Sequence, residues 1–232
     1  MDLTPLALDL LAPAALLTGS AVVHARHAAR TLRRYPPEGV FLDAHGVRVH
    51  ATRRGAGPLV VLVHGSNGTH HDFHAPLLEA LATTHTVVAI DRPGHGHSAR
   101  ARDARGLEAH ARALLGAIDA LALGPAVLVG HSYGTPVALR AALHAPERVR
   151  GVVAVTPVSA REPLHHVWSA LTAWPPLVAL GTATLPLAIG ACIAPRVRRN
   201  AWYPDAPPMA WTPARAFPLL PSQMAAASDD VH

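Results

Sequence analysis

Short apolar runs rich in Val and Ile recur along the middle of the chain, at residues 59–63, 86–90, 127–129 and 149–155. The run at 59–63 is continuous rather than alternating, the pattern of a strand covered on both faces; 86–90 reads as the next buried strand and 149–155 as another β-branched run. Residues 73–82 and 136–144 read as helices between them. So do residues 107–121, with Leu107, Ala111, Leu114, Leu115, Ile118 and Leu121 at helical spacing. Ahead of them, residues 40–43 and 47–51 flank Gly46 and predict a β-hairpin. Strands alternating with helices imply right-handed crossovers and a parallel, doubly wound sheet. Ligands in such sheets bind beyond the carboxyl ends of the strands. Ser132, the segment after Val63 and the segment after Ile90 all fall at that edge.

The flanks have a different character. Residues 3–23 are apolar apart from Asp9 and a few small polar residues, but the uninterrupted part, 10–23, is short for a span and contains Pro13 and Gly19. Met1-Asp2 lacks the basic start of a secretory signal. A membrane anchor and a helix lying on the membrane or on the domain both fit. The arginines that follow would keep that side in the cytoplasm. Residues 35–39 read as a linker, so the division expected is 1–39 for the apolar segment and basic linker, 40–160 for the core, and 161–232 for a lid and tail. Residues 167–195 carry no charge and are broken by Pro175, Pro176 and Pro186, which predicts short apolar helices over the sheet and an apolar substrate.

Composition narrows the class. A chain of 232 residues with half of them apolar suits one α/β domain with a sizeable core. The single cysteine, Cys192, cannot form an internal disulfide and reads as a small buried residue. The formal charge is +5. The arginines gather in clusters (Arg26 to Arg34, Arg100 to Arg105, Arg196 to Arg199) with no nucleic-acid motif or aromatic platform beside them. Nucleic acid is therefore not the expected partner, and a membrane surface suits the first cluster better.

The chemistry centres on Gly130-His131-Ser132-Tyr133-Gly134, between a strand and a helix. This is the context of a G-x-S-x-G nucleophile elbow. To stand clear of the sheet, Ser132 needs a strained, sharply turned backbone. Strand and helix then pass so close that Gly130 and Gly134 are required. The N–H of Tyr133, opening the helix, points where an oxyanion would form.

Three stretches together resemble the α/β-hydrolase superfamily, in its lidded serine-esterase and epoxide-hydrolase-like branch. His64-Gly65-Ser66-Asn67-Gly68 is similar to the family's H-G oxyanion loop. Residues 91–98, Asp-Arg-Pro-Gly-His-Gly-His-Ser, are similar to its D-x-P-G-x-G-x-S turn, and residues 130–134 to its elbow. The order matches over roughly residues 40 to 160. Pro221-Ser222-Gln223-Met224 looks like part of a lid in anchored bacterial members. The resemblance implies an α/β-hydrolase fold, a mostly parallel sheet with helices on both faces and an apolar helical lid. It makes Ser132 the nucleophile, Tyr133 N–H and Ser66 N–H the oxyanion donors, and Gly65 a shaper of the loop. The substrate class implied is a small apolar ester or related acyl compound, with no cofactor. A serine rather than an aspartate at the elbow argues for an acyl-enzyme and against the attack used by epoxide hydrolases.

The fold's triad runs Ser, then Asp or Glu, then His. The chain shows no strand after Val155. Downstream acids are Glu147, Glu162, Asp205, Asp229 and Asp230; downstream histidines are His144, His165, His166 and His232. Glu162 with His165 or His166 has the right order but falls at the start of the lid. Asp229 or Asp230 with His232 falls on the tail. The expectation is that the last strands, with acid and base, are absent, which would expose a sheet edge and leave a marginal or aggregation-prone protein. A truncated or degenerate fold without catalysis is the alternative. Residues 94–99 formally match G-x-G-x-x-A, but Arg92-Pro93 intervenes and the hydrolase turn explains them better. His70-His71-Asp72-Phe73-His74 matches no metal-ligand spacing and reads as a polar loop entering a helix, so no metal is expected.

Overall fold

The computed structural model describes residues 4–73, 77–100, 105–157, 220, 223 and 225–227. Its first element, α1, runs Thr4–Arg34 and carries the arginine cluster in its second half. No helix among the described residues is long and apolar enough to cross a membrane. The sequence reading of residues 3–23 as a spanning anchor finds no such helix, and Pro13 and Gly19 do not interrupt α1 as they suggested.

The core follows as β1 (Val40–Ala44), β2 (Val47–Arg54), β3 (Leu59–Val63), α2 (Leu77–Ala82), β4 (Thr86–Ile90), α3 (Gly106–Leu121), β5 (Ala126–His131), α4 (Gly134–His144) and β6 (Val149–Val155). The strands form one sheet in the order β1-β2-β4-β3-β5-β6. β4, β3, β5 and β6 are parallel, while the β1–β2 hairpin joins β4 antiparallel. The sheet is thus mostly parallel, an α/β arrangement with the hairpin as its exception. His45 and Gly46 both take positive φ at the hairpin turn, and Asp43 Oδ1 accepts from Gly46 N at 2.7 Å. Two positive-φ residues match the turn to the strands' twist.

Continuous apolar strands are explained by two cores. Val61 and Val63 of β3, Val88 and Ile90 of β4 and Leu128 of β5 pack with α3 and α4. Val60, Leu62, Val87, Ala89 and Val129 face the other way, onto Phe73 and Leu78. Alternate side chains leave a strand on opposite faces, so both sets must be apolar. Of residues 73–82, expected as one helix, Phe73 closes a 3-10 turn at His70–Phe73 and Leu77–Ala82 form the helix α2, while residues 74–76 lie outside the described residues. His70 and His71, expected in a polar loop, are buried. β6 lies at the edge of the sheet among the described residues, with Val153 and Val155 partly exposed. The lid (161–232), Cys192 and the candidate acids and bases beyond Val155 lie outside the described residues, apart from 220, 223 and 225–227.

Gly116 shows how tightly α3 lies on the hairpin: a Cβ there would stand 2.9 Å from the Cα and carbonyl carbon of Ala44. Alanine at an exposed helix position gains about 1 kcal/mol over glycine. Here Gly116→Ala must push backbone away from backbone, so it is expected to lower stability by about 1–3 kcal/mol in urea denaturation. A stabilised variant would show that α3 and β1 are not in this contact.

Candidate active site

β5 ends and α4 begins within three residues, and Ser132 occupies the bend with φ +50°. A non-glycine residue there stores about 1–3 kcal/mol of strain, which the surroundings must hold. Two bonds hold the turn from within: Thr135 N donates to Ser132 O at 3.0 Å and Thr135 Oγ1 to Gly130 O at 2.7 Å. A third ties it to β6, Ser132 N donating to Val155 O at 2.9 Å. The glycines are obligatory. A Cβ on Gly130 would lie 2.5 Å from Thr135 Cα, and one on Gly134 2.1 Å from Val63 O. Tyr133 is already helical (φ −60°, ψ −23°), so its N–H lies at the opening turn of α4, beside the bend.

The H-G loop leaves β3 directly against this bend. A Cβ on Gly65 would lie 2.9 Å from Ser132 Cβ and 3.4 Å from Ser132 Oγ. Nothing larger than glycine lets the loop backbone come this near the serine. Gly68 N closes the loop on Gly65 O at 3.2 Å. His64, fully buried, accepts from Arg92 N at Nε2 (2.9 Å) and donates from Nδ1 to Gly65 O (2.8 Å). Burial first, then the neighbouring Arg92 charge, holds it well below the ordinary imidazole range. Both ring nitrogens are committed, so His64 shapes the loop and is no base for Ser132.

The turn after β4 is organised by Asp91, wholly buried. Its Oδ1 accepts from His70 N (2.8 Å) and His70 Nδ1 (2.9 Å), and its Oδ2 from His50 Nδ1 (2.8 Å) and His97 N (3.0 Å). Burial alone would raise this carboxyl; the His50 and His70 hydrogen bonds outweigh it and hold the group well below its ordinary value. Gly96, at φ +53°, wraps the carboxylate so closely that a Cβ would meet it at 2.2 Å. Ser98 Oγ donates to Asp91 O at 2.6 Å and accepts from His50 N at 2.8 Å. The D-x-P-G-x-G-x-S pattern therefore describes a loop wound around one buried anion, not a nucleotide cradle.

His50, His70 and Asp91 are also the one set of metal-ligating side chains gathered among the described residues, their donor atoms within 4.8 Å of one another. Both imidazoles aim Nδ1 at the carboxylate oxygens, and two backbone N–H groups point at the same oxygens. A cation there would face four N–H donors, so the geometry fits a hydrogen-bonded anion better than a metal site.

Of the sequence-predicted residues, the structure brings together Ser132, Tyr133, Gly130, Gly134, Gly65 and Ser66 at the carboxyl ends of β3 and β5. It removes two downstream candidates. His144 and Arg140 on α4 both bind Glu108 of α3 at the helix surface (2.9 and 2.8 Å), and Glu147 lies in the turn that leads into β6 from its amino end. Half-buried His131 is lowered by burial. Among the described residues no histidine hydrogen-bonds Ser132 Oγ. Glu162, His165, His166, Asp205, Asp229, Asp230 and His232 lie outside the described residues.

Three residues went unnoticed as contributors. Arg92 donates from Nε to His64 O (3.0 Å) and from Nη2 to Gly65 O (2.9 Å). Gln223, buried, accepts from Gly96 N at 2.8 Å and donates to Gly68 O at 2.7 Å, joining the two loops. Asp72, partly covered beside Gly68, is pushed up to about 7, mainly by burial and further by Asp91.

Comparison with known proteins agrees with this geometry. A family model described as alpha/beta hydrolase fold matches residues 58–188, more than half of the chain. The chain is 39% identical over 119 residues (51% of this chain, 32% of that protein) to the dihydrolipoyllysine-residue acetyltransferase component of the acetoin cleaving system of Cupriavidus necator. It is 34% identical over 114 residues (49% and 41%) to the 2-(acetamidomethylene)succinate hydrolase of Mesorhizobium japonicum. The crystal structure of an E-2-(acetamidomethylene)succinate hydrolase superposes with a TM-score of 0.61 at 25% identity, covering 83% of this chain and 72% of that one. The chain thus spans between a third and about two fifths of the length of these curated relatives.

Asp72 supplies a pH test. Its folded value near 7 lies above the unfolded value of about 3.9, so its contribution to stability is present below pH ~4 and is lost as pH rises toward 7. Asp72→Asn removes that loss. The melting temperature of the variant minus that of the wild type is expected to increase between pH 5 and pH 8. A difference that stays constant or shrinks would contradict a buried, reluctant carboxyl.

Proposed function

The chain belongs to the α/β-hydrolase fold family, and from that premise we propose that it is a serine hydrolase acting on a small apolar ester or related acyl substrate. The observation that carries the reading is Ser132 itself, held at φ +50° between β5 and α4 with the Gly65 backbone against it. In this mechanism Ser132 Oγ attacks the acyl carbonyl and the leaving alcohol departs, giving an acyl-enzyme that water then hydrolyses. The N–H groups of Tyr133 and Ser66 hold the oxyanion of each tetrahedral intermediate. Two curated relatives are named for hydrolysis of an acetamido compound and for acetyl transfer, which supports acyl chemistry. A serine at the elbow supports it over direct opening of an epoxide. No cofactor enters these steps. The acid and base that would serve Ser132 are unassigned; Glu162, His165, His166, Asp229, Asp230 and His232 lie outside the described residues.

One observation favours a second reading, a hydrolase-fold protein that binds without turnover: no described histidine reaches Ser132. Hydrolysis of a short p-nitrophenyl ester separates the two. Turnover by the wild type that falls about a hundredfold or more in Ser132→Ala is the expected result. Equal turnover in both proteins would remove Ser132 from the mechanism, and turnover in neither would favour the inert reading.

The surface reading of α1 is likewise a proposal, supported by Arg26, Arg30, Arg33 and Arg34 on its second half. The protein is expected to sediment with vesicles containing anionic lipid, and to be released by 0.5 M salt on the order of a Debye length of ~4 Å. Failure to sediment at low salt would count against it.

A further inference from the structure

We propose that Arg92 is the positioning residue of the oxyanion loop: its guanidinium grips the carbonyls of His64 and Gly65 and thereby aims the Ser66 N–H at Ser132. The inference rests on the serine-hydrolase reading and names the device that sets its oxyanion hole.

Gly65 O and Ser66 N–H belong to the same trans peptide and point in opposite directions. Gly65 O accepts three donors: Arg92 Nη2 at 2.9 Å, His64 Nδ1 at 2.8 Å and Gly68 N at 3.2 Å. With the carbonyl fixed this way, the N–H of Ser66 can point only to the other side. A Cβ built on Gly65 would meet Ser132 Cβ at 2.9 Å and Oγ at 3.4 Å, so the residue before Ser66 lies against the serine, the side left to the Ser66 N–H once Arg92 holds the Gly65 carbonyl.

The choice of arginine follows from the same geometry. Nε holds His64 O at 3.0 Å while Nη2 holds the next carbonyl, a span that a planar fork with several donors covers and a single ammonium does not. The fork is itself fixed. Arg92 N binds His64 Nε2, and the guanidinium carbon lies 5.0 Å from the centre of the Tyr133 ring. One residue thus touches the H-G loop and the residue after the nucleophile, which are the two sources of oxyanion donors. Arg92 is only 1% exposed. Burying a guanidinium is costly, and spending it on two carbonyls makes sense where their peptides must not turn. The positive charge behind the Gly65–Ser66 peptide also polarises it, strengthening its N–H as a donor to a developing oxyanion.

Two variants test this. Arg92→Met removes charge and fork; Arg92→Lys keeps the charge but not the two-pronged grip, and stands in if the first variant fails to fold. Amide hydrogen exchange across residues 65–68 is expected to quicken at least tenfold in both, while the slowest amides of β3 and β5 change less than twofold. Unchanged exchange at 65–68, or a rise only in step with β5, would overturn the proposal. The second readout is labelling by a fluorophosphonate. Arg92→Lys is expected to lower the maximal labelling rate at least tenfold with the half-saturating probe concentration unchanged. A raised half-saturating concentration with the maximal rate intact would overturn it, since an aimed N–H acts on the transition state and not on probe binding. A wild type that does not label, beside variants whose loop exchange still quickens, would sink the serine-hydrolase reading while supporting the grip of Arg92 on the loop. The two failures are thereby told apart.

Discussion

Backbone touches backbone where β3, β5 and α4 converge, and the rest of the structure is arranged to permit it. A methyl group at Gly134 would sit on the carbonyl of Val63, and one at Gly130 on the first turn of α4. Only this closeness brings the H-G loop, which continues β3, against the serine that ends β5. Parallel pairing of β3 with β5 sets the height of both ends, Val63 lying opposite Gly130. The strain at Ser132 is held by covered strands on one side and α4 on the other, with Val155 O accepting its N–H. A loosely packed sheet would let the turn relax and the hydroxyl retreat.

A buried anion does for the neighbouring loop what backbone contact does for the elbow. Asp91 takes four N–H donors from β2, from the 3-10 turn and from its own loop, so it nails three segments to the end of β4. Arg92 follows immediately in sequence. Fixing Asp91 fixes where the guanidinium starts, and the guanidinium holds the H-G loop by two carbonyls. The electrostatic logic is consistent: the anion is surrounded by donors, the cation meets carbonyls, and His64 between them is kept neutral by burial and by the neighbouring Arg92 charge.

What could be read from the residues follows from how local each signal is. The strands at 59–63 and 86–90 were legible to the residue, because covering both faces forces unbroken runs of small and branched apolar residues; 149–155 was legible from its valines alone, since β6 carries Arg150 and lies at the sheet edge among the described residues. The elbow was legible because its two glycines answer contacts within five residues or with the adjacent strand. The 3-10 turn ending at Phe73 was missed because apolar spacing does not tell a 3-10 turn from the start of an α-helix. His70 was misjudged because imidazole is polar by composition yet serves a core when a carboxylate accepts its hydrogen bond; His70 and Asp91 are 21 positions apart. The roles of Arg92 and Gln223 were invisible for the same reason, since their partners lie 27 to 155 positions away. Distant pairs of this kind become neighbours only through the crossover order of the strands.

The central claim is that one bent residue presents a hydroxyl beneath two aimed N–H groups. The most direct measurement is a crystal structure of the protein after reaction with a phosphonate ester. The account predicts a covalent bond from Ser132 Oγ to phosphorus, with the phosphonyl oxygen within hydrogen-bond distance of both Tyr133 N and Ser66 N. An adduct on another side chain, or a phosphonyl oxygen turned away from those two nitrogens, would contradict it.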